Sequence, residues 1–116
     1  MNRDELDALV LDEVARRCEA ICDRPRPPAW RTWETRHDNA DRESGPRYTP
    51  TWFGDAVATE AGRVRLLRTV YRLYDAGLLT IVKSEGGRLE RVGLTNAGWD
   101  AVAELRTSGR PTPAGT

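Results

Sequence analysis

The stretch RVRLLRTVYRLYDAGLLTIVKSEGGRLERVGLTNAGW, residues 63–99, decides the fold of this chain. In its first part, about 63–76, leucine, valine and tyrosine recur at steps of three and four, which is typical of an amphipathic helix. Gly77 follows, and glycine is favoured just after a helix because it enters the left-handed region cheaply. The first part therefore predicts a helix that ends at Gly77.

The second part predicts a β-hairpin followed by another helix. Apolar residues alternate with polar ones over about 79–94, and Gly86-Gly87 in the middle favours a two-residue hairpin turn. Thr95 then stands where a helix N-cap is expected. The apolar residues beyond it predict a final helix that ends before Ser108.

On a helical wheel, the helix at 63–76 has an apolar arc and a basic face. The arc predicts core residues, Tyr71 and Tyr74 among them. The opposite face holds Arg65, Arg68 and Arg72. A basic face is common on a solvated helix, so this pattern alone does not distinguish a binding surface from an ordinary exterior.

The N-terminal segment predicts a long helix over about 3–22. Asn2 and Glu5 have the spacing of a capping box. Its apolar arc is broad, so we expect it to be the surface of any homodimer. Cys18 and Cys22 lie on one face, and we expect both to be small buried apolar side chains rather than a disulfide or a metal site.

Residues about 24–48 predict an irregular insert. The segment begins with the proline-rich 24–28, which stops the first helix. We expect Trp30 and Trp33 to anchor the insert on the domain and 37–45 to be mobile, although the tryptophans could instead stack on a base or dock a partner.

Length and termini favour one domain over residues 1–109. A chain of 116 residues and 13.0 kDa has room for a single core. Thr49-Pro50 predicts a short helix over about 50–58, and residues 110–116 predict a disordered tail. Neither a long apolar run nor a signal peptide is evident, so we expect a cytoplasmic protein with no membrane partner.

Charge is balanced overall but uneven along the chain. The 18 basic residues match the 18 acidic ones. Residues 1–23 carry a net charge of −4, whereas residues 63–91 carry +4. A strongly basic surface over the whole molecule is therefore excluded, and any polyanion site must be local to the helix and hairpin.

The order helix, Gly77-Leu78-Leu79, hairpin and Leu94-Thr95-Asn96-Ala97-Gly98 resembles the winged helix-turn-helix superfamily, including MarR-like and PadR-like regulators. The resemblance covers residues 50–105. It implies a mainly α (α+β) fold, a winged helix-turn-helix with a β-hairpin wing and an N-terminal helix. It also implies that the protein binds double-stranded DNA in transcriptional regulation.

The resemblance further implies a site. The helix at 63–76 would enter the major groove and the hairpin would follow the phosphates. The candidate DNA-binding residues are Thr59, Arg63, Arg65, Arg68, Thr69, Arg72, Lys83, Arg88 and Arg91.

Other functions are weighed against this one. No phosphate-binding loop, nucleophile motif or metal-ligand pattern is present, so we expect no enzyme activity, no cofactor and no metal. The main alternative is a winged-helix protein-protein interaction module without DNA binding. A small-molecule sensor with a ligand among Trp30, Trp33, Trp52 and Trp99 is a third hypothesis.

Overall fold

The computed structural model describes residues 2–108, apart from the side chains of residues 55–57. Its elements are α1 (Arg3–Asp23), α2 (Thr32–Ser44), a 3-10 helix (Pro50–Val57), α3 (Glu60–Asp75), β1 (Leu79–Lys83), β2 (Leu89–Leu94) and α4 (Asn96–Thr107). The prediction of a mainly helical protein with a β-hairpin is confirmed. The expected tail, 110–116, lies outside the described residues. None of the helices within 2–108 is long and apolar enough to cross a membrane.

The first helix forms the centre of the core. It packs against α3, α4 and β2, and its residues Val10 and Val14 are fully buried. Its start is the expected capping box: Asn2 accepts from the Glu5 backbone N–H at 2.8 Å, and its own N–H donates to the Glu5 carboxylate at 2.8 Å. Because the apolar arc of α1 is buried inside the molecule, the expectation that it forms a dimer surface is wrong.

The hairpin has the predicted strands but a longer loop. Leu79 pairs with Leu94, and Ile81 pairs with Val92. The loop comprises the three residues 85–87, since the Gly87 N–H donates to Ser84 O at 2.9 Å and Gly87 has a φ of 82°. A type I turn followed by a left-handed glycine has this form, so the predicted two-residue turn is corrected.

Residues 46–48 lie along the other edge of β2. The Tyr48 N–H donates to Glu90 O at 2.9 Å, and the Val92 N–H donates to Pro46 O at 3.2 Å. Arg47 forms an isolated antiparallel bridge with Arg91. Strand β2 therefore has hydrogen-bonding neighbours on both sides, which fixes the hairpin relative to the segment before the 3-10 helix.

The predicted irregular insert is largely a helix, α2. Its one buried side chain is Asp38, which accepts from Arg42 Nε at 2.7 Å and from Arg24 Nε at 3.1 Å. Trp30 and Trp33 are exposed, so they do not anchor the segment. Ion pairs hold α2 in place of the apolar contacts that we expected, and residues 37–44, expected to be irregular, are helical.

The helix predicted over 50–58 is a 3-10 helix over Pro50–Val57. It contains a kink at Gly54, where φ is 56° and ψ is −126°. Phe53 is buried in the core. The element packs against α3 and so sets the position of that helix.

Candidate functional site

The candidate site is built on α3, whose two ends are fixed by local hydrogen bonds. Thr59 is the N-cap, and its hydroxyl accepts from the Gly62 N–H at 3.0 Å. At the other end Gly77 has a φ of 82°, and the Leu78 N–H donates to Leu73 O at 3.0 Å. The helix therefore starts at Glu60, three residues before the predicted position, and ends just before Gly77, as predicted.

The inward face of α3 is narrower than the wheel predicted. Its buried residues are Leu66, Thr69, Val70 and Leu73. Tyr74 is 44% exposed and Leu67 is 38% exposed, and Leu67 lines an open groove between the helix and the hairpin. The prediction that Tyr71 and Tyr74 are core residues is therefore wrong: Tyr71 is half-buried and Tyr74 is exposed.

One edge of α3 forms an arginine cleft with the start of α1. The cleft has a volume of about 200 Å³ and is lined by Arg3, Leu6, Arg65, Arg68, Thr69 and Arg72. Arg65 and Arg68 are exposed. Arg72 is half-buried and forms an ion pair with Asp7. The cleft therefore brings together four arginines, one of them already paired with Asp7, and this excess of positive charge favours anions.

The other edge of α3 forms a groove with the hairpin. This hairpin groove has a volume of about 550 Å³ and is lined by Tyr48, Thr49, Pro50, Arg63, Leu67, Tyr71, Gly87, Arg88 and Leu89. Its walls are largely apolar and aromatic, and its two cations are Arg63 and Arg88. Lys83 places its Nζ 5.1 Å from the centroid of the Tyr71 ring, a cation-π contact between hairpin and helix.

The arginine row and the hairpin therefore lie on opposite edges of α3. They do not form one continuous basic surface. Leu67 and Tyr71 lie between them on the exposed side of the helix. The exposed face of α3 thus has a cationic edge toward α1, an apolar ridge, and a second edge with Arg63, Lys83 and Arg88.

Two of the predicted DNA-binding residues are buried and are therefore no longer candidates. Thr69 is 1% exposed, and its hydroxyl donates to Arg65 O at 2.8 Å within the helix. Arg91 is 8% exposed and donates to Gly45 O at 2.9 Å and to Asp41. Neither side chain is available to a phosphate, because each one's polar atoms are directed into the protein.

The remaining predicted residues lie at the surface, and some already have partners. Thr59 is exposed at the start of α3. Arg63 forms an ion pair with Glu60 on the same helix. Arg88 is exposed at the end of the loop. A polyanion would therefore have to compete with carboxylates for Arg63 and Arg72.

Arg3 belongs to the arginine cleft and was not predicted. It is 62 residues from Arg65 in the sequence, and its position depends on how α1 packs against α3. The single signal in the sequence is a basic residue in the first turn of a helix, where acidic residues are preferred. That signal alone would not have identified a site.

Outside α3, the shifted pKa values of ionisable groups have structural causes. Hydrogen bonds from Arg42 and Arg24 lower the pKa of the Asp38 carboxyl. Burial raises the pKa of the Cys18 thiol to about 11, whereas Cys22 is exposed, which corrects the expectation that both are buried. Within residues 2–108, no three His, Cys, Asp or Glu side chains are grouped to hold a metal ion.

The tryptophans do not surround one ligand. Trp33 lines a cleft beside the proline-rich segment, and Trp99 lines a different cleft beside Cys18. Trp52 packs edge-on against Tyr48 at 5.6 Å between ring centroids. This separation disfavours the sensor hypothesis. No protein-family model, curated protein or solved structure matches this chain.

Proposed function

We propose that the protein binds duplex DNA as a transcriptional regulator, with α3 as the recognition helix of a winged helix-turn-helix. The 3-10 helix, α3 and the hairpin follow one another in the order of that fold. The observation that carries the proposal is the exposure of Arg65 and Arg68 on α3, beside Arg3 and Arg72.

The width of α3 and the cations on its two edges suit the major groove of DNA. An α-helix with its side chains is about 10–12 Å wide, and the major groove of B-DNA is about 12 Å wide. With α3 in the groove, one backbone would lie near Arg65 and Arg68, and the other near Arg63 and Arg88. Cations on both edges of the helix would then contact phosphates of both strands.

The balanced net charge is compatible with this function because the acidic groups of α1 are partly neutralised within the protein. Arg106 donates to Glu19 at 2.8 Å and to Asp12 at 3.1 Å. Arg16 and Arg17 donate to Glu13 at 2.6 and 2.8 Å. The net charge of −4 for residues 1–23 already counts Arg16 and Arg17, and Arg106 of α4 offsets it by one further unit.

The test is the binding of a labelled duplex of random sequence, followed by fluorescence anisotropy. With four to six phosphate contacts, affinity should fall about 100- to 2,000-fold between about 50 and 200 mM salt. The absence of binding at the lower salt concentration, or binding that salt does not change, would contradict the proposal.

A protein-protein interaction module without DNA binding is the second candidate. The hairpin groove favours it, because Leu67 and Tyr71 present apolar surface to solvent beside Leu89. This candidate predicts that the protein does not bind duplex DNA at low salt, and that a Leu67→Ser variant no longer binds a protein partner that the wild type binds. Such a result would contradict the first candidate.

A further inference from the structure

The largest exposed aromatic surface of the described chain lies where the chain enters α2. Trp30 is 75% exposed and Trp33 is 68% exposed, although indole rings are among the side chains that gain most from burial. Residues 25–28, which are rich in proline, line a cleft of about 410 Å³ together with Trp33. We call the two tryptophans and this segment the tryptophan patch.

Hydrogen bonds hold the patch in a defined position. The Pro28 carbonyl oxygen accepts from the Arg31 N–H at 2.9 Å and from the Thr35 hydroxyl at 3.1 Å. The Arg24 carbonyl oxygen accepts from the Arg42 guanidinium on α2 at 2.8 Å. The proline-rich segment is thereby fixed to α2, and a ligand that binds a surface already formed loses less conformational entropy.

Each indole ring has a planar polar neighbour and still exposes most of its surface. The Arg31 guanidinium lies 5.0 Å from the centroid of the Trp30 ring. The ring centroids of Trp33 and His37 are 4.1 Å apart. Indole, imidazole and guanidinium groups are the side chains on which proteins stack unpaired nucleobases.

The exposed charges at the patch are mainly positive. Of the charged residues that line the cleft, the exposed ones are Arg24, Arg26, Arg31 and Glu34. The two other acids of the cleft are paired with arginines, and their side chains are 5% and 19% exposed. Glu34 pairs with Arg31 at 3.4 Å, but both side chains are half-exposed, and such surface pairs are weak. A phosphate can therefore approach Arg26 and replace Glu34 at Arg31.

We propose that the tryptophan patch binds single-stranded nucleic acid. Unpaired bases stack on Trp30 and Trp33, and the phosphates between them contact Arg26 and Arg31. Because every base has an aromatic face, this binding has little sequence preference. The site lies outside the DNA-binding surface proposed for α3 and does not depend on it.

The area of the patch matches a nucleic acid strand better than a folded protein. Two indole rings offer at most about 500 Å² of surface. Each side of a stable protein interface buries roughly 800 Å². A stacked base needs only one face of a ring, so two exposed indoles suffice for two bases.

The first test is fluorescence anisotropy of a labelled oligothymidylate of about 12 nucleotides at about 50 mM salt. The wild type should bind it, and Trp30→Ala/Trp33→Ala should bind at least about 30-fold more weakly, because two stacking contacts are lost. Trp99→Phe is the control, since Trp99 lies on α4 outside the patch, and it should bind like the wild type. A wild type that does not bind, or a double variant that binds equally well, would overturn the proposal.

The second test separates stacking from charge. An abasic oligomer of the same length carries the same phosphates and no bases. The wild type should prefer oligothymidylate by at least about tenfold, whereas Trp30→Ala/Trp33→Ala should bind both oligomers equally. Equal binding of the two oligomers by the wild type would rule out stacking at the patch.

The third test separates this site from α3. Oligothymidylate forms no duplex with itself, so Arg65→Ala/Arg68→Ala should bind it within about twofold of the wild type, whereas Trp30→Ala/Trp33→Ala should keep its affinity for duplex. Loss of oligothymidylate binding in the α3 variant would contradict the assignment to the patch. Oligouridylate of equal length should also bind, and the tighter of the two strands identifies the ligand as DNA or RNA.

Discussion

Arg91 on β2 donates hydrogen bonds to the Asp41 carboxylate on α2 and to the Gly45 carbonyl oxygen, the latter at 2.9 Å. The Arg91 guanidinium thereby joins the hairpin to helix α2. Only 10% of the Arg91 side chain and 19% of the Asp41 side chain are exposed. The pair is part of the structure of the domain, in contrast to the phosphate contact that the sequence suggested for Arg91.

Replacing Arg91 by alanine should therefore lower stability and not DNA affinity as such. The variant leaves Asp41 without this partner and the Gly45 carbonyl unsatisfied, and breaking a largely buried ion pair costs about 3 kcal/mol. Urea denaturation followed by circular dichroism measures the loss. Arg88→Ala, an exposed arginine of the same hairpin, is the control and should change stability by less than about 0.5 kcal/mol. Equal stability of the two variants would contradict this role.

The junction of α4 with the hairpin should tolerate no side chain at Gly98. A Cβ there would lie 2.0 Å from Leu78 O and 2.9 Å from Leu94 Cδ2. The Leu78 carbonyl is fixed because it accepts from the Thr95 N–H at 3.1 Å. We expect Gly98→Ala to lose at least about 2 kcal/mol of unfolding free energy or to fail to fold.

Gly86→Ala is the matched control for that substitution. A Cβ at Gly86 meets nothing within 4 Å, and its φ lies outside the left-handed range. Thermal unfolding should show Gly86→Ala close to the wild type and Gly98→Ala far below it. Similar melting temperatures for both variants would mean that the backbone at Leu78 can move to make room for the added methyl group.

The two thiols should differ in reactivity. Burial raises the pKa of Cys18 from 9.0 to about 11, so its thiol stays protonated near pH 8, whereas Cys22 is exposed. Iodoacetamide at pH 8 should alkylate Cys22 well before Cys18, and Cys22→Ser should leave little reaction until the protein is denatured. Rapid alkylation of that variant would show that Cys18 is accessible.

The same shift in the pKa of Cys18 predicts how the stability of the protein changes with pH. The folded-state pKa of Cys18 lies above the unfolded value, so the protonated thiol favours the folded state. This contribution is complete below about pH 9 and is lost as pH rises toward 11. Cys18→Ala should therefore flatten the fall in stability with pH over that interval, as measured by denaturation at fixed pH values.

Several ends of helices could be predicted because their signals are local. Asn2 and Glu5 cap each other, Gly77 takes a positive φ, and the Thr95 hydroxyl accepts from the Gly98 N–H at 2.9 Å. Each interaction joins residues at most three positions apart, or a single residue to its own backbone. Such signals can be read without knowledge of the tertiary structure.

The second helix could not be predicted in this way. It has no apolar stripe, and Asp38, its buried residue, is polar. The contacts that stabilise it come from Arg24 and Arg91, which are 14 and 50 positions from the carboxylates that they meet. Ion pairs over such distances leave no periodic pattern in a sequence.

The candidate site was predicted in part. Arg65 and Arg68 lie at the surface as expected. Thr69 was misplaced because its hydroxyl can be satisfied by its own helix, which lets a polar residue be buried without a tertiary partner. Arg3 was missed because only the packing of α1 against α3 brings it to the cleft.

The sharpest test of the site is Arg65→Ala/Arg68→Ala. Both side chains are exposed, so the fold and its melting temperature should be retained. If the two guanidiniums contact phosphates or base edges, duplex affinity should fall roughly 10- to 100-fold. The slope of log affinity against log salt should also become shallower by about 2, because two fewer counterions are released.

Arg16→Ala/Arg36→Ala is the control, because it removes the same charge from exposed positions on α1 and α2 that line neither the arginine cleft nor the hairpin groove. A change of net charge alone would weaken both double variants equally, whereas contact at α3 would weaken only the first. The salt slope separates these causes most clearly, since it counts phosphates neutralised at the interface. An unchanged slope in Arg65→Ala/Arg68→Ala would place the DNA contact, if any, away from the arginine cleft.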